Sequence, residues 1–258
     1  MAAGRTCLVR QHVPYPFHVT RPFHLDRHRP DLATLYLQSS SGGLYSGEHL
    51  SLTVEAGVGA AVSVTTQAAT IVRDGKGRTA TVETNLRLSV ASVLMHLPDP
   101  LILFPGAAAR SVLTVSLPDD AVAVCCDGFS SHDPQELGRP FASYSSEMMV
   151  RTRDGRILVA ERGTLDGDQL GRPASPLGPF RAAGIVVLLN AALNDPAPLQ
   201  RRLSDMRCMS GISPLPNGAG TALRVLAHDA GSLASGLAAA CFACFEQVTG
   251  VPPAPRRK

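Results

Sequence analysis

The cysteines are the first residues in this sequence whose types and spacing could do metal or redox chemistry. Cys241 and Cys244 form a C-x-x-C motif, which can ligate zinc or exchange a disulfide. A zinc site usually needs a second pair of ligands, and a redox pair is expected at the start of a helix. Here both thiols fall late in a predicted helix, on its apolar stripe. The motif therefore favours core packing.

A second group of candidate ligands is Cys125, Cys126 and Asp127, followed by His132 and Asp133. Thiolate and imidazole together would suit nickel or zinc. Adjacent residues on a strand point to opposite faces, so both thiols cannot bind one metal without a bend. A buried strand followed by a polar loop explains the same pattern, and a metal contact stays open as the alternative.

The third candidate is the turn that starts at His96 and contains Asp99 between two prolines. Imidazole and carboxylate lie close together in this rigid segment, although Pro-Asp-Pro is also ordinary turn chemistry. An acid–base function built from His96, Asp99 and Asp127 would make the protein a β-rich hydrolase. We keep this hypothesis as the alternative to a protein without catalysis.

A run of small hydroxylated residues, from Thr65 to Thr70, offers hydroxyl groups without a strong nucleophile beside a base. Small residues there also let neighbouring backbones approach closely. The glycine pairs of the sequence lack the Lys-Ser/Thr and the helix of a phosphate loop, and no G-x-S-x-G elbow or H-E-x-x-H helix is present. No enzyme mechanism assembles from these motifs, so we expect a protein that is not an enzyme.

The composition indicates a folded globular protein, since 45% of the 258 residues are hydrophobic and 17% are charged. The net charge of +3 reads as solvated tails, so no nucleic-acid partner is expected. No run approaches the roughly 18 apolar residues of a membrane span, the longest being Ile185 to Leu189 and Leu237 to Phe245. The start lacks a secretory apolar region, and six cysteines without disulfide-scaffold density indicate reduced thiols in the cytoplasm.

Short alternating runs separated by Gly, Pro and Asp turns predict a mainly β protein. The predicted strands are Leu32–Leu37, Glu48–Glu55, Ala61–Thr65, Ala69–Arg73, Thr79–Val90, Ser111–Leu117, Ala121–Cys126, Ser145–Arg153 and Arg156–Arg162. Helical periodicity appears only later, at 196–206 and 230–248, with two strands between them near Gly211–Ser213 and Thr221–Leu226.

This pattern predicts three regions. Residues 1–20 are expected to form an extended, proline-broken arm, with an edge strand as the alternative for this start of the chain. A single β-rich domain occupies 21–250, and a disordered tail occupies 251–258. The two late helices are expected to pack on one side of the strands.

Several stretches, taken in order, resemble the urease accessory protein UreD family, which is called UreH in some systems. The most specific are the T-T-Q-A-A-T run at 65–70 and the L-P-D-P-L-I-L-F-P-G-A run at 97–107. Weaker similarities are Arg21-Pro22-Phe23, Leu35-Tyr36-Leu37, the segment 42–50 and the late helix. The resemblance covers residues 20 to 250.

The resemblance implies a nickel chaperone that is not an enzyme. Proteins of this family bind apo-urease and recruit the helical protein UreF, which docks a dimer of the GTPase UreG. Nickel would be a transient cargo that passes through an internal path, with no tightly bound cofactor. The implied fold is a β-helix-like stack of short strands with two late helices packed on one side.

Polar positions that match the family, together with the turn at His96 and Asp99, become candidates for the nickel path. They are Asp31, Glu48, Thr65, Thr66, Gln67, Thr70, His96, Asp99 and Asp127. Sparse oxygen and nitrogen donors would hold a divalent ion weakly enough to release it. The family often has a carboxylate and an aromatic residue before L-P, where this chain has Met95 and His96, so His96 is expected to serve as a replacement donor.

Overall fold

The computed structural model describes residues 4–45, 47–170, 172 and 174–255. Its strands are β1 Phe17–Val19, β2 Leu32–Ser39, β3 His49–Ala56, β4 Ala61–Thr66, β5 Ile71–Val72, β6 Ala80–Leu88, β7 Val93–Leu97, β8 Leu101–Leu103, β9 Ala108–Ser116, β10 Val122–Ser131, β11 Ser143–Arg151, β12 Ile157–Asp166, β13 Ala182–Leu189, β14 Met209–Pro214 and β15 Gly220–Ala227. Its helices are α1 Ala197–Asp205 and α2 Ala230–Thr249.

The strands form two facing sheets. The large sheet has ten strands, with β1-β2-β4-β7-β10-β13-β15-β14 as its main order, while β8 pairs with β10 and β5 pairs with β8. The small sheet has five strands in the order β12-β11-β9-β6-β3. The chain crosses from one sheet to the other and back, so β2, β4, β7 and β10 are parallel neighbours and so are β3, β6, β9 and β11. The predicted mainly β, β-helix-like stack is confirmed.

Parallel stacking places residues of successive coils side by side. Leu35, Val64, His96 and Cys125 occupy one such row in the large sheet. Alternation then directs one set of side chains between the sheets and the other set outward. The buried residues between the sheets form a core rich in Leu, Val and Ala, which the alternating sequence anticipates.

The late helices pack on the outer face of the large sheet, where they bury a second core. Asp229 caps α2 by accepting a hydrogen bond from the backbone of Ser232, and Gly250 ends the helix with a φ of 74°. Leu237 lies close to the sheet over Gly184, where an added Cβ would come within 2.7 Å of the leucine Cδ1. Glycine at this position therefore allows the close approach of helix and sheet.

Among the described residues, helix α2 is long and apolar enough to cross a membrane, although it contains no apolar run that approaches 18 residues. It has 20 residues, and its mean hydropathy over an 18-residue window is 1.2. Counting apolar runs missed this because Gly and Ser interrupt the helix. In the structure Leu233, Leu237 and Phe245 are buried against the sheet.

Strands β7, β8 and β13 were not predicted, whereas β1 is an edge strand of the large sheet, one of the two alternatives for the proline-rich start. The run Ile185 to Leu189, noted only for its hydrophobicity, belongs to β13, which pairs with β10 and β15. The predicted strand Ala69–Arg73 is reduced to β5, Ile71–Val72.

Both ends of the described chain contact the β-rich body. In the predicted arm, β1 pairs with β2, and the Thr6 backbone N–H donates to the Asp31 carbonyl at 3.0 Å. At the other end, Ala254 N–H donates to the buried Asp26 carboxylate at 2.7 Å. Residues 256–258 of the predicted disordered tail lie outside the described residues.

Candidate functional site

A cavity of about 80 Å³ lies between the two sheets. Strands β4, β7 and β10 of the large sheet form one wall, and β3, β6 and β9 of the small sheet form the other. Its apolar side is lined by Phe17, Leu37, Leu44, Leu50 and Leu52. Its polar side gathers five of the expected path residues, which are Thr66, Thr70, His96, Asp99 and Asp127.

His96 is the buried imidazole of this cavity, with 8% of its surface exposed. It lies on β7 between Val64 and Cys125 of the neighbouring strands. Its Nδ1 atom is buried and has no hydrogen-bond partner among the described residues. Burial lowers the pKa of His96 to about 4, because the charged form loses its hydration. At neutral pH the imidazole is therefore uncharged and can offer a nitrogen lone pair.

Thr66 and Asp99 join the two specific motifs at the cavity wall. The Thr66 hydroxyl donates to Asp99 Oδ2 at 3.0 Å, and the Asp99 backbone N–H donates to Thr66 Oγ1 at 2.8 Å. This reciprocal pair fixes the turn after β7 against the end of β4. A carboxylate and a hydroxyl are thereby held beside the imidazole strand.

Asp127 is the inner carboxylate of the cavity, on β10. Gly128 N–H donates to its Oδ1 at 2.9 Å, and the Tyr144 hydroxyl donates to its Oδ2 at 3.3 Å. Burial raises the pKa of Asp127 to about 6, and the charge of Glu161 adds to the shift, while hydrogen bonds from Gly128, Ser111 and Tyr144 oppose it. The carboxyl group therefore ionises near neutrality, where a cation would favour the charged form.

Asp31 and Glu48 lie away from the cavity. Asp31 pairs with Arg29 through hydrogen bonds of 2.9 and 2.7 Å, and this guanidinium lowers the pKa of the carboxyl. Glu48 is exposed and accepts a hydrogen bond from Tyr45 N–H at 2.8 Å. Neither carboxylate belongs to the group that the cavity assembles.

Thr65 and Gln67 also point away from it, although they share a motif with Thr66. The Thr65 hydroxyl donates to the Leu97 carbonyl at 2.7 Å, and Gln67 is exposed beside Gln38. Because strand residues alternate between faces, the single motif divides between the cavity and the outside.

Sequence reasoning missed Ser111 and Tyr144, which surround Asp127. Both point between the sheets from strands of the small sheet, and Ser111 also lines the cavity. Alternation along β9 and β11 could have placed them inward. Their closeness to Asp127 depends on which strands face each other, and the local sequence carries no signal for that.

Among the described residues, the cysteines form no metal site with the donors of the cavity, although Cys126 is one of the residues that line it. Cys125 faces the core between the sheets, whereas Cys126 faces the helices, as their adjacency predicted. A hydrogen bond with Cys241 and burial raise the pKa of Cys126, and burial raises the pKa of Cys125 to about 12. Buried neutral thiols of this kind are packing residues.

His132 and Asp133 lie in the loop after β10. The His132 ring packs against Phe104, and Asp133 pairs with Arg139 at 2.8 Å. Among the described residues, no group of three or more His, Cys, Asp or Glu is arranged to hold a metal ion.

The polar residues of the cavity can offer metal-binding nitrogen and oxygen atoms to a cation one after another. It presents a neutral imidazole at His96, carboxylates at Asp99 and Asp127, and hydroxyls at Thr66 and Thr70. Nitrogen and oxygen donors of this type suit borderline divalent ions. The same residues include the acid and base of the hydrolase hypothesis, but the Asp99 carboxylate is bonded to Thr66.

Comparison with known proteins matches the UreD urease accessory protein family over residues 1–258. The chain is 45% identical to urease accessory protein UreD 1 of Methylorubrum extorquens, covering 99% of this chain and 88% of that protein. It is 42% identical to UreD 1 of Bradyrhizobium sp. strain BTAi1, covering 100% and 91%, and 34% identical to UreD 1 of Pseudomonas syringae pv. tomato, covering 99% and 92%.

Because the match extends over the whole chain and the relatives are this similar, the resemblance stated from the motifs is confirmed. The chain belongs to the UreD family of urease accessory proteins, which gives it a role in urease maturation.

Proposed function

We propose that this protein is a maturation factor without catalytic activity that passes nickel to apo-urease through the cavity between its sheets. The observation that carries the proposal is the convergence of two separate motifs on that cavity. Thr66 and Thr70 come from the first motif, at 65–70, and Asp99 comes from the second, at 97–107. His96 directly precedes the second motif, and Asp127 lies on β10, which neighbours the strand of His96 in the sheet. The family assignment makes urease the target of such a path.

The chemistry of the cavity suits a cargo ion better than a resident one. His96 is neutral and its Nδ1 has no partner among the described residues, so an arriving cation would satisfy a buried lone pair. Thr66 and Asp99 hold each other in place, so their donor atoms are positioned without the ion. An ion bound by few donors at a time leaves each of them quickly.

Delivery also requires partners. We propose that the chain binds apo-urease on one side and, on another, the helical protein UreF, which brings the GTPase UreG with nickel. The transfer would take place in the cytoplasm. The outer face of the small sheet and the exposed side of α2 are available for these contacts.

The hydrolase hypothesis would need His96 to be oriented by a carboxylate and to activate a nucleophile. Asp99 instead accepts a hydrogen bond from Thr66, and the buried Nδ1 of His96 has no partner among the described residues. These contacts favour the transport proposal.

The first test is co-expression of the cognate urease, UreF and UreG with and without this chain. Nickel content and urease activity are measured on the same purified urease. We expect both to fall together without the chain and to return with it. Urease that fills with nickel in its absence would overturn the proposal.

Site variants then locate the path. His96→Ala and Thr66→Val should lower the nickel content of urease several-fold at equal expression, while Gln67→Ala should not. Gln67 belongs to the same motif as Thr66 but is exposed outside the cavity, so it is a matched control. Equal nickel loading by all three variants would exclude the cavity as the route.

A further inference from the structure

Side chains from successive coils stack on one another where the chain passes from the large sheet to the small one. This edge ladder consists of Tyr45, Arg73, Phe104 and His132. Parallel coils hold its members in register, because the backbone N–H groups of the last three donate to Leu44, Val72 and Leu103 of the preceding coil at 2.9, 3.0 and 3.0 Å. Neighbouring strands are about 4.8 Å apart, so the ladder is about 14 Å long.

The guanidinium of Arg73 is held between two rings of the ladder. Its Cζ atom lies 5.7 Å from the ring centroid of Tyr45 and 5.7 Å from that of Phe104, and the Phe104 ring lies 5.6 Å from the His132 ring. Arg73 also donates to the Gly42 carbonyl through Nε at 3.3 Å and Nη2 at 3.2 Å. These contacts fix the planar cation in one orientation.

The positive charges at this edge have no carboxylate partner. Arg73, Lys76 and Arg78 take part in none of the ion pairs formed within the part of the chain that the structure describes. The neighbouring carboxylates, Asp74 and Glu48, instead accept backbone N–H groups at 2.8 Å each. The cations therefore remain available to an acidic group from outside the chain.

The ladder is open to solvent. Tyr45 is 44% exposed, His132 is exposed, and Arg73 and Phe104 are half-buried. Arginine and aromatic residues are enriched at the positions that dominate the energy of protein interfaces. A length of about 14 Å exceeds that of a small anion and matches about four residues of an extended chain. These dimensions favour a protein segment as the occupant.

We propose that the edge ladder is a docking site for an acidic, extended segment of a partner protein. A carboxylate of the segment pairs with Arg73, and apolar side chains beside it lie on the rings of Tyr45, Phe104 and His132. Because the guanidinium is already held between rings, pairing costs little side-chain entropy. That the partner belongs to the urease maturation complex rests on the function proposed above.

The test measures binding of the full chain to cognate apo-urease and to the cognate UreF–UreG complex, each alone, by biolayer interferometry without nickel. For one of these two partners, Arg73→Gln should weaken binding at least tenfold. Arg73→Glu should weaken it at least fivefold more, because it brings like charges together. Unchanged binding of both partners would overturn the docking site. Equal losses in the two variants would overturn the acidic nature of the occupant.

Arg153→Glu is the matched control, because it makes the same change of charge away from the ladder. Arg153 is exposed and has no ion pair among the described residues. It follows the end of β11, whereas the ladder residues precede the strands of the small sheet. The variant should leave both affinities within twofold.

A second variant keeps the proposal testable if Arg73→Glu does not fold, which thermal unfolding followed by circular dichroism would show. Lys76 is exposed in the turn after Arg73, and Lys76→Glu should weaken the same binding at least threefold. Wild-type binding should also weaken as salt rises, and Arg73→Gln should make this dependence shallower. A dependence that stays the same in Arg73→Gln would refute the charge pairing.

Sedimentation of the chain alone tests the other occupant of such a surface. A dimer that Arg73→Glu dissociates would overturn the proposal, because the ladder would then bind a second copy of this chain. Because binding is measured without nickel, the docking site can be confirmed even if the co-expression test refutes nickel transfer. Normal nickel transfer with unchanged binding of the Arg73 variants would refute the docking site alone.

Discussion

The stability of the protein should depend on pH through two groups that act in opposite directions, the buried His96 and the half-buried Asp127. Burial lowers the pKa of His96 from 6.5 to about 4 and raises the pKa of Asp127 from 3.8 to about 6. Between the two values for His96 the unfolded chain binds more protons, so this residue makes stability rise with pH. Between the two values for Asp127 the folded chain binds more protons, so this residue makes stability fall as pH rises.

The two contributions are similar in size. From about pH 4.5 to about pH 7.5, the free energy of unfolding gains about 2.5 kcal/mol from His96 and loses about 2 kcal/mol from Asp127. They nearly cancel in the wild type. His96→Leu leaves the loss unopposed, and Asp127→Asn leaves the gain unopposed. Each variant should therefore show a pH dependence that the wild type conceals.

The assay is urea unfolding followed by far-UV circular dichroism, because the chain contains no tryptophan to report by fluorescence. The measured quantity is the difference in unfolding free energy between variant and wild type at each pH. Other carboxylates, such as Asp31 with its pKa lowered by Arg29, cancel in that difference. For His96→Leu the difference should fall by about 2.5 kcal/mol from pH 4.5 to pH 7.5, because the variant lacks the gain that His96 supplies. For Asp127→Asn the difference should rise by about 2 kcal/mol over the same range, because the variant lacks the loss that Asp127 causes.

The double variant carries neither group, so its difference from the wild type should change little with pH. A His96→Leu profile parallel to that of the wild type would show that the imidazole titrates normally. In that case His96 is not held neutral by burial, and the reasoning about its free lone pair fails.

Two further predictions concern helix α2. Gly184→Ala should lower the free energy of unfolding by about 1 to 3 kcal/mol, because the added Cβ would lie 2.7 Å from Leu237 Cδ1. Gly211→Ala is the control, because an added Cβ there has open space around it, and it should change the thermal unfolding temperature little. Asp229→Ala removes the hydrogen bonds of 2.8 Å with the backbone and the hydroxyl of Ser232, so urea unfolding should show a loss of about 1 kcal/mol in the free energy of unfolding. Asp229→Ser should restore most of that free energy, because serine also caps helices. An alanine variant as stable as the wild type would argue against the cap.

Much of the fold could be predicted from the sequence because most strands have one face in the core and the other in water. Their alternation marks β3, β6 and β9 directly. Strand β13, Ala182–Leu189, gives no such signal, because it is covered by the small sheet on one face and by α2 on the other. Its continuous apolar run fits a buried strand and a buried helix equally well, so periodicity cannot assign it. The short strands β5 and β8 depend on pairing with each other, and β8 also pairs with β10.

The site was predictable as a set of motifs but not as a geometry. Thr66 and Thr65 are equivalent in the sequence, yet only the side chain of Thr66 reaches Asp99. Asp127 looks like an ordinary polar residue at the end of a strand. Its burial depends on Tyr144, which arrives from a strand of the other sheet. These contacts depend on which strands of the two sheets lie opposite each other, and no local sequence pattern encodes that arrangement.

The placement of His96 and Asp127 has a thermodynamic cost that helps to interpret them. Their neighbours in the same rows include Val64 and Ile185, which fill the space without losing hydration. Replacing buried ionisable groups by apolar residues is often neutral or stabilising. His96→Leu should therefore be more stable than the wild type in acid, where the imidazole must be protonated. If the same variant also delivers less nickel to urease, the buried imidazole lowers stability but serves nickel transfer. If nickel delivery is unchanged, His96 is a packing residue, and the nickel path consists of Thr66, Asp99 and Asp127 without it.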